Sequence, residues 1–374
     1  MNATIFQSPL KYGIWGGALS CLIFGQFSTC YAREDLVPGS PYTSAQGAAM
    51  GDAVLPLGQD GPSALFYNPA DLTRIRNTTF EPVNFTFYGN SGWAGSLSPG
   101  SFYKITSLSG NQGNLQNHPD TFMGSGAQYV ASFYSRGFAV GLLLVDQTGG
   151  QANSTGSVSY RSLYQLIPTA GYGMKFAGGV VRIGYSLQWI NQASGDNTVP
   201  GGTTPLGYNQ QLAQGSAFSS NAGFALTIPY TYLPSLNIVV RNIGGAHFNT
   251  SSIYQFTPTS TGAPPTDPMT IDTSFSFVTK LGGGENVNWV AEYRDATDQS
   301  GMAAIGRAAA GVEYSNQERF FLRAGWGSGY PAAGLAYRQK TAEISLTWYS
   351  EELGLSYHAQ RDQRYLLGFT VRAF

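Results

Sequence analysis

The sequence predicts an all-β protein: a transmembrane antiparallel β-barrel of about fourteen strands, with an N-terminal hatch plugging the lumen. Three observations predict it. The composition is poor in charge and rich in glycine and aromatics. Apolar and polar residues alternate with a period of two. Long and short connections alternate by parity along the chain. Only 11% of the 374 residues are charged, 48 are Gly, and Tyr and Phe number 23 and 22. Soluble domains carry about 25% charged residues and about 7% Gly. Mean hydropathy is close to zero, as expected where apolar outward and polar inward residues cancel. A net charge of −1 excludes nucleic-acid binding through a basic face.

The elements follow in order. Lys11 precedes the uncharged stretch YGIWGGALSCLIFGQF, and STCYA places Cys30 and Ala32 at the −3 and −1 positions of a cleavage site. Residues 1–32 therefore read as a signal peptide for Sec-dependent export, with an uncleaved anchor as the alternative. Cys21 and Cys30 fall in that part, so the exported chain uses no disulfide. Residues 33–77 are rich in Gly, Ala and Pro and nearly uncharged. They precede the first strand, and a barrel this wide needs its lumen filled. They read as a hatch packed against the inner wall, or else as a small cap outside it.

Residues 78–374 form the barrel. The spans 80–89, 126–134, 137–146, 157–176, 179–192, 216–228, 235–243, 271–281, 286–295, 304–315, 319–327, 331–339, 342–349 and 365–374 read as strands. In one of them Val181, Ile183, Tyr185, Leu187 and Trp189 alternate with Arg182, Gly184, Ser186 and Gln188. Such alternation also suits a soluble sandwich. The polar face of small residues and lone charges, and the aromatic ends of the apolar face, favour a membrane barrel. Connections after even-numbered strands are tight, and those after odd-numbered strands are mostly long, with 328–330 the short exception. A barrel with one rim in the periplasm and one outside sorts its loops in this way. In the long segment 90–125, Phe102, Tyr103, Ile105 and Leu108 suit one amphipathic turn over the mouth, or a plain loop.

The stretch MGDAVLPLGQDGPSALFYNPADL resembles the N-terminal hatch of the FadL-type long-chain fatty acid transport family of Gram-negative outer membranes. Asn68-Pro69-Ala70 stands where that family has Asn-Pro-Ala, and Gly51 and Asp60 stand near its glycine and acidic positions. The same pattern resembles the PorV-like barrels that serve protein secretion. The resemblance implies an outer-membrane protein that passively takes up a hydrophobic small molecule, with Gly51, Asp52, Asp60, Asn68, Pro69 and Ala70 as the hatch and gating residues. For the PorV-like alternative it implies a scaffold for secretion or surface attachment. Its partners would be outer-membrane lipid, the hydrophobic ligand and the barrel assembly machinery, with the chain a monomer. The final strand ends on Phe374, similar to the assembly signal of such barrels, although Phe374 shares a face with Arg372. The resemblance also implies an inward kink in strand three for lateral exit. Gly137 and Gly141 could allow it, or are simply weak points or bulges. Loops 193–215 and 244–270, where the family's ligand groove would lie, are not strongly apolar.

Arg182, Arg241, Arg323, Arg338, Glu292 and Lys175 fall on inward faces. The arginines could hold a ligand carboxylate bidentately, or pair with carboxylates of the wall and hatch. No metal site, cofactor or enzyme activity is expected. The three His, at 118, 247 and 358, lie in loops, and His118 beside Asp120 has no strand to hold it.

Overall fold

A computed structural model describes residues 41–58, 60–95, 108–203, 207–354 and 356–373. The expected signal peptide, residues 33–40 of the expected hatch, Phe102, Tyr103 and Ile105 of the amphipathic turn, and Phe374 lie outside the described residues.

Fourteen strands close into one antiparallel barrel in which each pairs with its neighbours in sequence and β1 pairs with β14. They are β1 (Thr79–Asn90), β2 (Met123–Ser135), β3 (Phe138–Ala152), β4 (Val158–Phe176), β5 (Val181–Val199), β6 (Ala213–Thr227) and β7 (Ser235–Arg241), followed by β8 (Thr270–Gly282), β9 (Glu285–Tyr293), β10 (Ala308–Asn316), β11 (Phe320–Gly327), β12 (Tyr330–Arg338), β13 (Ala342–Glu352) and β14 (Arg361–Val371). Closure leaves no free edge, so every strand N–H and C=O can be satisfied within a bilayer.

The burial pattern is inverted relative to a soluble protein. Leu142, Leu144, Tyr185, Leu187, Phe218, Phe275, Trp289, Leu335, Leu346, Leu367 and Phe369 are exposed, while Ser186, Gln188, Asn221, Asn237, Asp272, Ser274 and Arg323 are buried. An apolar outer belt around a polar interior identifies a membrane-spanning barrel. Loop lengths sort by parity in most places, the exceptions being the short connections 153–157 and 328–329 after β3 and β11, the first of which was expected to be long. Even-numbered strands end in short turns, the longest being 228–234.

Several boundaries differ from the sequence reading. β3 and β5 run on to Ala152 and Val199, past the expected ends at 146 and 192, because paired polar residues carry the ladder above the apolar belt, while β4 keeps its expected span to within one residue. Residues 304–307 form a 3-10 turn before β10, not part of the strand. β14 begins at Arg361, four residues before its apolar alternation starts. Gly137 lies in the β2–β3 turn, with a φ of 78°. Gly141 pairs in unbroken register with Ser132 and Thr169, so no register break marks a kink there. The register shifts fall elsewhere, between Glu81 and Asn84 and between Lys280 and Gly282.

Candidate functional site

Inside the barrel, the N-terminal segment folds as two short helices, α1 (Ala45–Ala49) and α2 (Gly61–Phe66), and a 3-10 helix, Pro69–Arg74. Each start is fixed by a side-chain cap. Ser44 Oγ accepts the Gly47 N–H at 2.8 Å, Asp60 accepts that of Ser63 at 2.7 Å, and Asn68 Oδ1 accepts that of Ala70 at 3.1 Å. Pro62 and Pro69 stand in the first turns, where a missing N–H costs nothing. Such short helices are marginal alone, so their stability comes from packing on the wall.

That wall is paved with glycine where the segment touches it. A Cβ at Gly184 would lie 2.2 Å from the Pro69 carbonyl carbon, and one at Gly223 would lie 2.2 Å from Asn68 Oδ1. Across the lumen, a Cβ at Gly325 would lie 2.1 Å from the Met50 carbonyl carbon, and one at Gly327 would lie 2.0 Å from Gly51 O. No side chain fits between these backbones, so the inward glycines of β5, β6 and β11 form the seat. Gly51 and Asp52 reverse the chain there with φ of 65° and 66°.

Charged groups of the wall then pin the segment. The Arg182 guanidinium donates to Asp71 Oδ1 at 2.5 Å and to Thr227 Oγ1 at 3.0 Å. Burial pushes the Asp71 carboxyl up, and Arg74 and Arg182 pull it back. Arg241 donates to Asp272 at 2.6 Å, and its two terminal nitrogens donate to the Phe66 and Tyr67 carbonyls at 3.0 and 3.1 Å. Arg241 thus caps the C-terminus of α2. Glu292 accepts the N–H groups of Val54 and Leu55 at 2.9 and 3.0 Å. Asp52 pairs with Arg294 at 3.0 Å. Asn68 is fully buried, and its Nδ2 donates to Leu55 O at 3.2 Å and to Asn237 Oδ1 at 3.4 Å.

The residues singled out from the sequence therefore divide. Asp52, Asn68, Pro69 and Ala70 come together with Arg182 and Arg241 where the N-terminal segment meets the wall, and Gly51 sits on its β11 seat. Asp60 caps α2 at the edge. Arg323 pairs with Glu313 at 2.7 Å, and Glu313 also accepts Gln46 Nε2 at 2.7 Å. Arg338 pairs with Glu343 at 2.7 Å. All four arginines proposed for a ligand carboxylate thus hold protein carboxylates. Asp71, Arg294 and the seat glycines escaped the sequence reading. The signal for the glycines was present in the small residues of the polar faces of β5 and β11. Asp71 stood one residue beyond the quoted tripeptide. His118 Nδ1 lies 3.0 Å from Asn114 O, His247 Nδ1 3.3 Å from Thr266 Oγ1, and His358 Nε2 2.8 Å from Gly329 O. Among the described residues, no cluster of three or more His, Cys, Asp or Glu could hold a metal ion.

A second feature adjoins the N-terminal segment. Leu65, Phe66 and Leu72 of the segment join Leu143, Val145, Ile167, Ile190, Ala217 and Val239 of the wall in one apolar cluster. The cluster continues to Ala246, with Phe248 packed against it, both in the long loop 242–269. These wall residues lie on the inward face, since Leu142, Leu144, Trp189 and Phe218 beside them in sequence are exposed.

Solved structures share this architecture. The toluene transporter TodX of Pseudomonas putida matches with a TM-score of 0.50 at 11% identity, over 88% of this chain and 97% of its own. The toluene transporter TbuX of Ralstonia pickettii gives 0.49 at 13%, over 90% and 99%, and a FadL homologue of Pseudomonas aeruginosa 0.49 at 12%, over 89% and 99%. At these identities the TodX likeness is one of fold. No family model matches the sequence, and no curated protein matches it.

Proposed function

We propose that this chain is a FadL-type outer-membrane barrel for passive uptake of a hydrophobic small molecule, with the N-terminal segment as its hatch. The observation that carries this reading is the apolar cluster running along the inner wall from loop 242–269 to the hatch. A water-filled pore has a polar lumen. An inward apolar seam instead gives a hydrophobic molecule a path on which it is not returned to water. The fold shared with TodX supports the same reading. The seam ends on Leu65, Phe66 and Leu72, so passage requires the hatch to shift off its glycine seat. No nucleotide or energy-coupling motif is present in the sequence, and the flow follows the gradient. A long-chain fatty acid is the finer proposal for the cargo.

A protein scaffold of the PorV-like kind is the second reading. It is favoured by the filled interior, where loop 242–269 packs into the apolar core, together with the exposed ring of Tyr254 on that loop. Uptake by the purified protein in liposomes separates the two. Saturable entry of oleate or toluene, altered by Asn68→Ala, is the result expected for the transporter. A folded barrel that passes neither supports the scaffold.

A further inference from the structure

The short-turn mouth of the barrel carries a charge for which the apolar seam has no use. A cavity of about 1500 Å³ lies there between the hatch and the turns, lined by ten basic residues against three acidic ones, Asp60, Glu313 and Glu318. Arg136, Lys175, Lys280, Arg319 and Lys340 each mark a different one of the six short hairpins. All five are exposed, and among the described residues none has a carboxylate within 4.0 Å.

Two of the five are placed at a cost. Lys175 stands opposite Arg182 in the β4–β5 ladder. Arg319 stands opposite Arg338, whose N–H donates to the Arg319 carbonyl at 2.7 Å. In each pair one cation holds a carboxylate, Asp71 for Arg182 and Glu343 for Arg338, and the other has none. Like charges directly opposite each other weaken a sheet, so stability does not explain the arrangement.

We propose that this mouth docks an acidic soluble protein on the periplasmic side. The cations line the cavity on the barrel axis, so lipid head groups around the outer perimeter do not neutralise them. They are also spread around the ring. Fourteen strands at about 4.8 Å spacing and about 40° tilt give a barrel about 28 Å across. A small anion touches one sector of such a ring, whereas an acidic protein surface reaches all five hairpins together. A concave mouth of one sign focuses the field and speeds encounter with an opposite charge. The inference stands apart from the transport reading, because it rests on the rim alone.

The test uses the full barrel in uncharged detergent, with polyglutamate of about fifty residues as the probe and diglutamate as the small-anion control. The sequence has no Cys after Cys30, so a dye placed by Gln339→Cys reports on the short-turn rim and one placed by Ser154→Cys on the opposite rim. Polyglutamate is expected to change the Gln339→Cys signal and leave the Ser154→Cys signal unchanged, with binding weakened by salt. Replacing all five cations by Ser is expected to weaken it about tenfold or more. These are exposed positions in the turns or at the strand ends beside them, and retained barrel structure is checked by resistance to cold detergent. Unchanged affinity in the five-site variant, a response at Ser154→Cys, or diglutamate binding as tightly as the polymer would each overturn the proposal, the last by making the mouth a small-anion site. A barrel that binds polyglutamate but passes no hydrophobic molecule would keep this inference and lose the transport reading.

Discussion

Arg182 of β5 and Asp71 of the N-terminal segment meet at 2.5 Å with both side chains almost fully buried. The pair ties the hatch to the wall beside the Pro69–Gly184 contact. Removing one partner leaves an uncompensated charge in a low-dielectric interior, which costs about 3–5 kcal/mol. Asp71→Asn is therefore expected to lower the urea midpoint of the refolded barrel. The double variant Asp71→Leu/Arg182→Met should recover much of that loss, because it buries no lone charge. A double variant as unstable as the single would show that the pair does more than neutralise itself.

The glycine seat makes a steric prediction. Gly184→Ala would place a Cβ 2.2 Å from Pro69, against backbone that cannot rotate away. Overpacking of this kind costs about 1–3 kcal/mol. In the proposed uptake route the N-terminal segment is the side that moves, so the variant is expected to raise single-channel conductance in planar bilayers while the barrel still folds. Unchanged conductance would mean that the wall yields instead.

Loop chemistry sets a pH dependence. Asp295 lies in the β9–β10 loop and accepts N–H groups from Gln299 at 3.0 Å and Ser300 at 2.8 Å. Burial alone would raise its pKa. The N–H donors and the Thr297 and Ser300 side chains outweigh burial and hold it below the usual carboxylate value. A depressed folded pKa gives stability that is present above the ordinary carboxylate pKa and lost as pH falls through the folded value. Wild type is thus expected to exceed Asp295→Asn by about 1–2 kcal/mol at neutral pH, with the gap closing in acid as pH falls below the ordinary carboxylate pKa. Urea midpoints at neutral and acid pH check this.

The seam predicts a selective loss. Val239 is fully buried on the inward face of β7. Val239→Asn puts an amide into the apolar path, and an unpaired amide there costs about 1–3 kcal/mol. Uptake of toluene or oleate is expected to fall about tenfold, with the barrel still folded. Equal uptake would place the path elsewhere.

How far the sequence reached follows from where the physics is local. The outward belt was legible because alternation is a property of each strand alone, so Val181 to Trp189 could be read without a partner. Loop parity was legible because closure constrains all the hairpins together. Strand ends were less so. β5 extends past residue 192 on pairs such as Asn197 with Tyr160, which carry no apolar period. The role of the four arginines was open, since an inward Arg needs a partner and the sequence does not say whether that partner is a ligand or a carboxylate. Only the fold brings Asp71 to Arg182 and the Phe66 carbonyl to Arg241. The seat glycines were visible as small residues, but their purpose depends on a segment more than a hundred residues away in the chain.

In the proposed route, cargo passes only when the N-terminal segment leaves its glycine seat. The Leu72 Cβ lies 3.4 Å from where a Cβ at Gly173 would stand, close to the Cβ separation of a disulfide. In Leu72→Cys/Gly173→Cys the hatch can therefore be locked by oxidation and released by reduction, in a chain with no other Cys after Cys30. Uptake of toluene or oleate into liposomes by the same preparation, oxidised and then reduced, is the most direct test. Uptake is expected to stop when the bond forms and to return when it is broken. Equal uptake in both states, with the disulfide verified, would contradict it.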